Sequence, residues 1–468
     1  MPRLAFLNRQ SELARLHSAL DAPEPTLSVV YGRRRLGKSR LVQEALAGRS
    51  AVYYVGDERD AALQREAVAR EIDVLLPGFA RVSYPDWGSL LDRFFAEAPA
   101  GSVLALDELP ALIATSPELP SVLQKIIDHP RQEPRHLILT GSSQRMMHGS
   151  VISGSAPLYG RAREILRLEP LQLGWVSRAF KLKNAAEAVD QYAVWGGVPR
   201  YWELARGYPD RLSAIESLLL DPLGVLHREP ERLLLDDLDE ITRAASLLSL
   251  VGNGVHRVSE MASRLGVPST SLSRPLGRLL DLGILHRETP FGRSVRDTKR
   301  TWYRIIEPLM RFWYRFVQPN RSRLAAGQVR EVRREVASAW PEHVGMVWED
   351  LARSSTARLR VSGRQWLPGA RWWGRGSDGK ELELDIVAPS STDPAEVLVG
   401  EAKHRCTVVQ ARRLLSGLQA KAERCPELKG KRLHYALWVL HGPGGAQVPG
   451  IVTPTEVASP PLAPVIPE

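Results

Sequence analysis

The chain has 468 residues, 44% of them hydrophobic and 25% charged, with a formal net charge of +10. Its length exceeds what one core serves and suggests about three domains. No run approaches the ~18 consecutive apolar residues that span a bilayer, and Met1 to Asn8 lack a signal-peptide core, so no membrane partner is expected and the cytoplasm is the expected compartment.

Residues 27–41 read Leu-Ser-Val-Val-Tyr-Gly-Arg-Arg-Arg-Leu-Gly-Lys-Ser-Arg-Leu, an apolar strand running into a loop that fits G-x-x-x-x-G-K-S/T. Gly32 and Gly37 let such a loop close so that backbone N–H groups converge on phosphate oxygens. Lys38 neutralises the β- and γ-phosphates, the Ser39 hydroxyl ligates Mg²⁺, and the following helix aims its positive end at the same anion. Arg33, Arg34, Arg35 and Leu36 complete the loop and Arg40 follows it. Residues 32–40 are therefore the candidate site for a nucleoside triphosphate.

Ala51–Val55 reads as a second short strand, and 61–76 carries helical spacing. Ser102-Val-Leu-Ala-Leu-Asp-Glu108 is a buried strand ending in two acids. At the C-terminal end of a parallel strand Asp107 can hold the Mg²⁺ shell, and Glu108 can polarise the attacking water. The alternative is a strand end capped by exposed acids. Arg135–Thr140 is the next strand, and Ser142 beyond it is placed to sense the γ-phosphate. Strands alternating with helices argue a doubly wound α/β domain with ligands at the strand C-termini. Arg161 and Arg163 are candidates for an arginine finger acting across a subunit boundary, which implies a homo-oligomer; a surface arginine pair is the alternative.

These motifs, with Pro157-Leu-Tyr-Gly-Arg161 and Gly196-Gly-Val-Pro-Arg200, resemble the archaeal-type ATPases of the AAA+/STAND group, which also occur in bacteria. The resemblance implies ATP rather than GTP, an ATPase core over 1–170, a helical lid over 171–240, a winged helix-turn-helix over 241–325 and a nuclease-like domain over 326–440. It places Gly196-Gly197, a tight turn beside Trp195, in the lid near the nucleotide.

Residues 241–340 hold eighteen Arg plus Lys against seven Asp plus Glu, so one segment accounts for the whole charge excess. A solvated basic surface and a polyanion partner such as double-stranded DNA both fit. Three helical patterns, 241–251, 258–265 and about 269–282, precede two wing strands near 284–288 and 302–306. Arg274 and Arg278 lie off the apolar face of the third helix, and Arg293, Arg296, Lys299 and Arg300 lie on the wing loop. The recognition helix of such a fold enters the major groove and the wing meets phosphate; winged helices also serve as packing modules. Pro275 inside the third helix costs about 3 kcal/mol unless the helix starts later or kinks. Leu309, Phe312, Trp313 and Phe316 share a helical face and read as core.

In the last region, alternation along Glu381–Val387 places Leu382, Leu384 and Ile386 on one face and Glu383 and Asp385 on the other. Glu401 and Lys403 share a face of the next strand. Asp385 and Glu401 would hold Mg²⁺, Lys403 would position water, and Glu349 from the preceding helix would complete the metal shell, a set suited to phosphodiester hydrolysis. The arrangement resembles the PD-(D/E)xK nuclease fold, with Leu384 where a proline often stands. Gln410 is a possible helper. The alternative is an ion-paired set that only serves docking. Cys406 and Cys425 flank a helix whose rise of ~1.5 Å per residue keeps the sulfurs apart, as suits a reducing compartment. Residues 441–468 hold seven prolines and are expected to be a mobile tail.

Overall fold

A computed structural model describes residues 4–129, 133–142, 144–154, 156–237, 241–293 and 300–459. It divides into two compact units: Phe6–Pro170 with Val198–Arg200, and Met1–Ala5, Leu171–Gly197 and Tyr201–Glu468. Among the described residues no helix is long and apolar enough to cross a membrane.

The first unit is built on parallel strands β1 (Leu27–Tyr31), β2 (Ala51–Val55), β3 (Val103–Asp107), β4 (His136–Gly141) and β5 (Glu164–Arg167), in the order β2-β3-β4-β1-β5. Helices cover both faces, so β3 and β4 are apolar nearly throughout and wholly buried. Leu27, Val29, Tyr54, Leu104, Leu106, Leu137 and Leu139 form the core of one face with Trp87 and Phe94. The helix Lys38–Leu46 packs on the other. Because β4 lies between β1 and β3, the turns that follow all three open at one edge.

The second unit opens with helices, Gly174–Phe180 and Ala185–Trp195 among them. At the Gly196-Gly197 turn a Cβ on Gly197 would stand 2.0 Å from the Leu171 carbonyl oxygen, so backbone closeness requires glycine there. The helix-turn-helix follows as Ile241–Gly252, Val258–Leu265, a 3-10 turn Ser269–Leu272 and the helix Ser273–Asp281. The 3-10 turn resolves the proline problem: Pro275 falls in the first helical turn, where its missing N–H costs no helical bond. Strands β6 (Leu285–Glu288) and β7 (Trp302–Ile305) pair antiparallel as a wing. Arg296 and Lys299 lie outside the described residues. Leu309, Phe312, Trp313 and Phe316 are buried as core.

A long helix, Val329–Ser355, leads to the ribbon β8 (Arg360–Val361) and β9 (Arg364–Gln365), then to a mixed sheet of β10 (Ala370–Arg375), β11 (Glu381–Pro389), β12 (Glu396–Arg405), β13 (Arg432–His441) and β14 (Ile451–Val452). The first three strands run antiparallel, and the β12–β13 and β13–β14 pairs are parallel. Two findings depart from the sequence reading. Between the pairs Trp372↔Leu384 and Ala370↔Val387, β10 has one residue and β11 has two, so a bulge at Asp385-Ile386 breaks the alternation. Val387, not Ile386, joins Leu382 and Leu384 in the core cluster. The expected tail is also partly built in: Ile451-Val452 pairs with Leu437-Trp438, and a capping box on Thr453 starts the helix Pro454–Ala458.

The wing is docked within this unit. Trp302 on β7 stacks on Trp373 of β10, with ring centroids 4.5 Å apart, and Arg293 pairs with Glu427 at 3.0 Å. Beneath it, Asp350 of the long helix takes Arg304 of β7 at 3.0 Å, Arg311 at 2.7 Å and its helical neighbour Arg353. Burial opposes ionisation of Asp350, yet the three guanidinium groups hold its carboxyl well below the ordinary range. Asp350→Asn would leave buried Arg311 without its carboxylate partner and weaken the pairing of Arg304 and Arg353, and we expect a loss of about 3–5 kcal/mol in denaturant unfolding. The depressed pKa fixes the sign with pH: the stabilisation is present above about pH 4 and is lost as pH falls further. A variant as stable as the native chain at pH 7 would show that the cluster contributes little.

Candidate active site

The loop after β1 carries three left-handed residues, Gly32 (φ 144°), Arg35 (φ 71°) and Gly37 (φ 92°), the sort of backbone that forms an anion nest. A Cβ on Gly32 would stand 2.7 Å from the Leu168 carbonyl oxygen, so that position admits only glycine. Lys38 begins the helix and is buried, while Ser39 beside it is exposed. The Lys38 ammonium donates to the carbonyls of Gly32 (2.8 Å) and Arg33 (3.2 Å) and to Ser142 Oγ (2.8 Å). Ser142 Oγ in turn donates to Glu108 Oε1 at 2.5 Å, and its backbone N–H to Oε2 at 3.2 Å. One chain of hydrogen bonds thus crosses from the phosphate loop through the end of β4 to the acid after β3.

Asp107 is buried at the end of β3 and accepts from the Thr140 hydroxyl, the Tyr53 phenol and the Glu108 backbone N–H. Burial first, then the bond to Asp107, pushes the Tyr53 phenol up. Glu108 takes a left-handed conformation (φ 53°, ψ 48°), rare for a residue with a Cβ. Strain of that kind costs about 1–3 kcal/mol and collects at functional sites. Here it turns the chain from β3 into the helix Leu109–Thr115 and lets the Glu108 carboxylate meet Ser142.

Arg161 lies away from the phosphate loop. Arg163, two residues on, donates its N–H to the carbonyl of Leu27, where β1 begins, whereas the phosphate loop follows Tyr31 at the other end. Five strand residues, about 13–17 Å, separate the two edges. Arg161 is engaged there by Asp128 through two contacts of 2.6 and 2.8 Å. It does not line this chain's own phosphate loop.

In the second unit, Asp385, Glu401 and Lys403 come together at the β11–β12 junction. Asp385 Oδ2 accepts the N–H of Ala402 at 3.0 Å, and Lys403 Nζ reaches Glu401 at 3.0 Å. Burial opposes the Lys403 charge, but Glu401, with Asp385 and Glu349, raises its pKa. Glu401 is held on its other oxygen by Lys421 of the helix Val408–Glu423; burial opposes its ionisation, and the two lysines lower its pKa. Glu349 is paired with Arg371 of β10, and burial raises its pKa against that pairing. The three-carboxylate metal shell is therefore not formed: each acid is drawn to a different partner, and among the described residues no three metal-binding side chains are gathered. Gln410 is also accounted for differently. Its side chain accepts the N–H of Thr407 at 2.9 Å as half of a capping box.

Residues 6–205 match the family described as an ATPase domain predominantly from Archaea. That match spans the phosphate loop, the acid-ended strand β3 and the Ser142 turn. Residues 313–414 match a second family, described as archaeal and bacterial proteins of unknown function. An uncharacterized protein of Methanocaldococcus jannaschii is 27% identical over 403 residues, 84% of this chain and 86% of that one. The Walker-type ATPase of Pyrococcus abyssi shares the fold with a TM-score of 0.51 at 18% identity, over 67% of this chain and 98% of that one. The ORC2 protein of Aeropyrum pernix, at TM-score 0.42 and 13% identity over 72% and 97%, is too distant to carry an argument.

The ATPase domain fits a nucleotide on its own geometry. The nest of left-handed residues and the buried Lys38 suit phosphate, and the exposed Ser39 hydroxyl and the Asp107 carboxylate are oxygen donors of the kind a hard cation takes. Tyr53, Thr140, Arg371 and Lys421 were missed by sequence reasoning. Tyr53 left a trace as one of two phenols in the otherwise apolar run Ala51–Val55, with nothing to set it apart from Tyr54. Ser143 lies outside the described residues.

Proposed function

We propose that the chain is a magnesium-dependent ATP-hydrolysing switch that engages double-stranded DNA. The hydrogen-bond chain Lys38–Ser142–Glu108 carries this reading, because it ties the cation that meets the terminal phosphates to the acid that orients water. Residues Gly32 to Arg40 hold the triphosphate, with Ser39 and Asp107 placed for magnesium, which supplies charge neutralisation across the phosphates. Glu108 accepts a proton from the attacking water, and Ser142 reports the state of the γ-phosphate to it. Arg161, at the far edge of its own sheet, is placed to serve a neighbouring copy in a homo-oligomer. Phosphate release should fall about a hundred-fold or more in Lys38→Ala. Glu108→Gln should keep ATP binding and lose turnover. Native release rates in both variants would end the ATPase assignment of this site.

The helix-turn-helix supports the DNA reading through one face. Ser269, Thr270, Ser271, Ser273 and Arg274 are exposed at the start of the third helix, with Arg257 and Arg264 exposed nearby, whereas the wing is docked on β10. Helix rather than wing is the element that meets DNA. Duplex affinity should fall steeply as salt rises, and Arg274→Ala should reduce the slope of log affinity on log salt by about 1. Flat, salt-insensitive binding would favour a packing role for the module.

A second reading, DNA cleavage, is favoured by the placement of Asp385 beside Ala402, between Glu401 and Lys403. Plasmid incubated with ATP and magnesium should accumulate strand breaks with the native protein, and Asp385→Ala and Lys403→Ala should each abolish them. Equal cutting by both variants would remove the nuclease reading and leave the region as a docking surface.

A further inference from the structure

The strand β2 puts a phenol where the ATPase site needs none for folding. β2 pairs with β3 in the register Tyr53↔Ala105, Tyr54↔Leu106 and Val55↔Asp107. Alternation sends Tyr54 into the core cluster with Leu104 and Leu106, and Tyr53 to the opposite face with Ala105 and Asp107. Ala105 is small, so the Tyr53 ring can pass over it toward the end of β3. There its hydroxyl donates to Asp107 Oδ2, with the Ser39 side chain near the phenol. Ser39 comes from the phosphate loop and Asp107 from the acid strand, two strands apart in the sheet.

We propose that Tyr53 is a positioning residue of the ATPase site, holding the Asp107 carboxylate through its phenol O–H and competing there with the water shell of a cation carried by the nucleotide. The inference rests on the reading of Ser39 and Asp107 as the magnesium-facing pair. The bond direction matters. A phenol O–H satisfies Asp107 only as a donor, as a cation-bound water does, so both contend for the same carboxylate oxygen. A phenylalanine of the same shape keeps the packing over Ala105 and removes the contender. A merely structural tyrosine would predict weaker or unchanged metal dependence on that substitution; a competing one predicts stronger dependence.

Nucleotide affinity is measured by calorimetry with ATP in magnesium and again in EDTA, for the native chain, Tyr53→Phe and Tyr54→Phe, with thermal melts to establish that each is folded. The ratio of the EDTA dissociation constant to the magnesium one should rise about five-fold in Tyr53→Phe, the worth of one hydrogen bond, with the EDTA value unchanged. Tyr54→Phe, on the core face, should leave the ratio at its native value. A ratio in Tyr53→Phe equal to or below native overturns the proposal while leaving the nucleotide site intact. No ATP uptake by the native chain in either buffer would instead remove the site reading itself, and this inference with it.

Discussion

The buried ammonium of Lys38 is the interaction around which the first unit is arranged. Taking a charged group out of water costs several kcal/mol unless polar partners replace the lost hydration. Here loop carbonyls and a serine hydroxyl supply them. The carbonyl of Gly32 is available because the loop turns through left-handed residues, and Ser142 because β4 sits between β1 and β3. Had the acid strand been the direct neighbour of β1, no intervening strand end would link cation and acid. The strand order and the site geometry are thus one fact: the sheet supplies Ser142 as a link between the loop lysine and the acid after β3.

A comparable arrangement of charge organises part of the second unit, with the signs reversed. Asp350 is one carboxylate among Arg304, Arg311 and Arg353, which come from the wing, from the helix that follows it and from its own helix. That single acid joins the helix-turn-helix to the long helix that also bears Glu349. The Trp302–Trp373 stack and the Arg293–Glu427 pair bind the wing to β10 and to the turn near Glu427. A winged helix standing free offers both helix and wing to a partner. In this chain the wing strands have a partner within the unit, and the start of the third helix remains the exposed polar face.

What the sequence disclosed follows from the range of the forces involved. The phosphate loop, the acid-ended strand and the helix-turn-helix are local patterns in which spacing and chemistry are read from neighbouring residues. The parts that were not legible depend on contacts across the fold. Tyr53 reaches Asp107 across 54 residues, and Arg371 reaches Glu349 across 22 from a different element, so no window of sequence contains either pair. The motif at Arg161 gave no sign of which edge of the sheet it occupies; strand direction puts it at the edge opposite the phosphate loop. The bulge at Asp385-Ile386 hid in the same way, since a perfectly alternating strand carries no sign that its partner is one residue short. The proline-rich end was read by composition, which cannot show that Ile451 and Val452 complete a sheet edge.

The carboxylates of the C-terminal sheet differ in how firmly their cations are fixed, and this difference orders their roles. Lys421 leaves 41% of its side chain exposed while Glu401 leaves 5%, so the acid is set in the fold and the lysine is not. A solvent-facing lysine holds its partner with about 0–1 kcal/mol, and it can swing into water at small cost. Arg371 leaves only 9% exposed, and it bridges Glu349 and Glu383 beneath the docked wing. Removing Arg371 takes a buried counter-charge from both acids at once, which is strongly destabilising. The Lys421 contact to Glu401 is therefore the more readily released, while Lys403 also holds that acid. Glu349 thus belongs to the architecture that seats the wing, while Asp385, Glu401 and Lys403 meet at the β11–β12 junction.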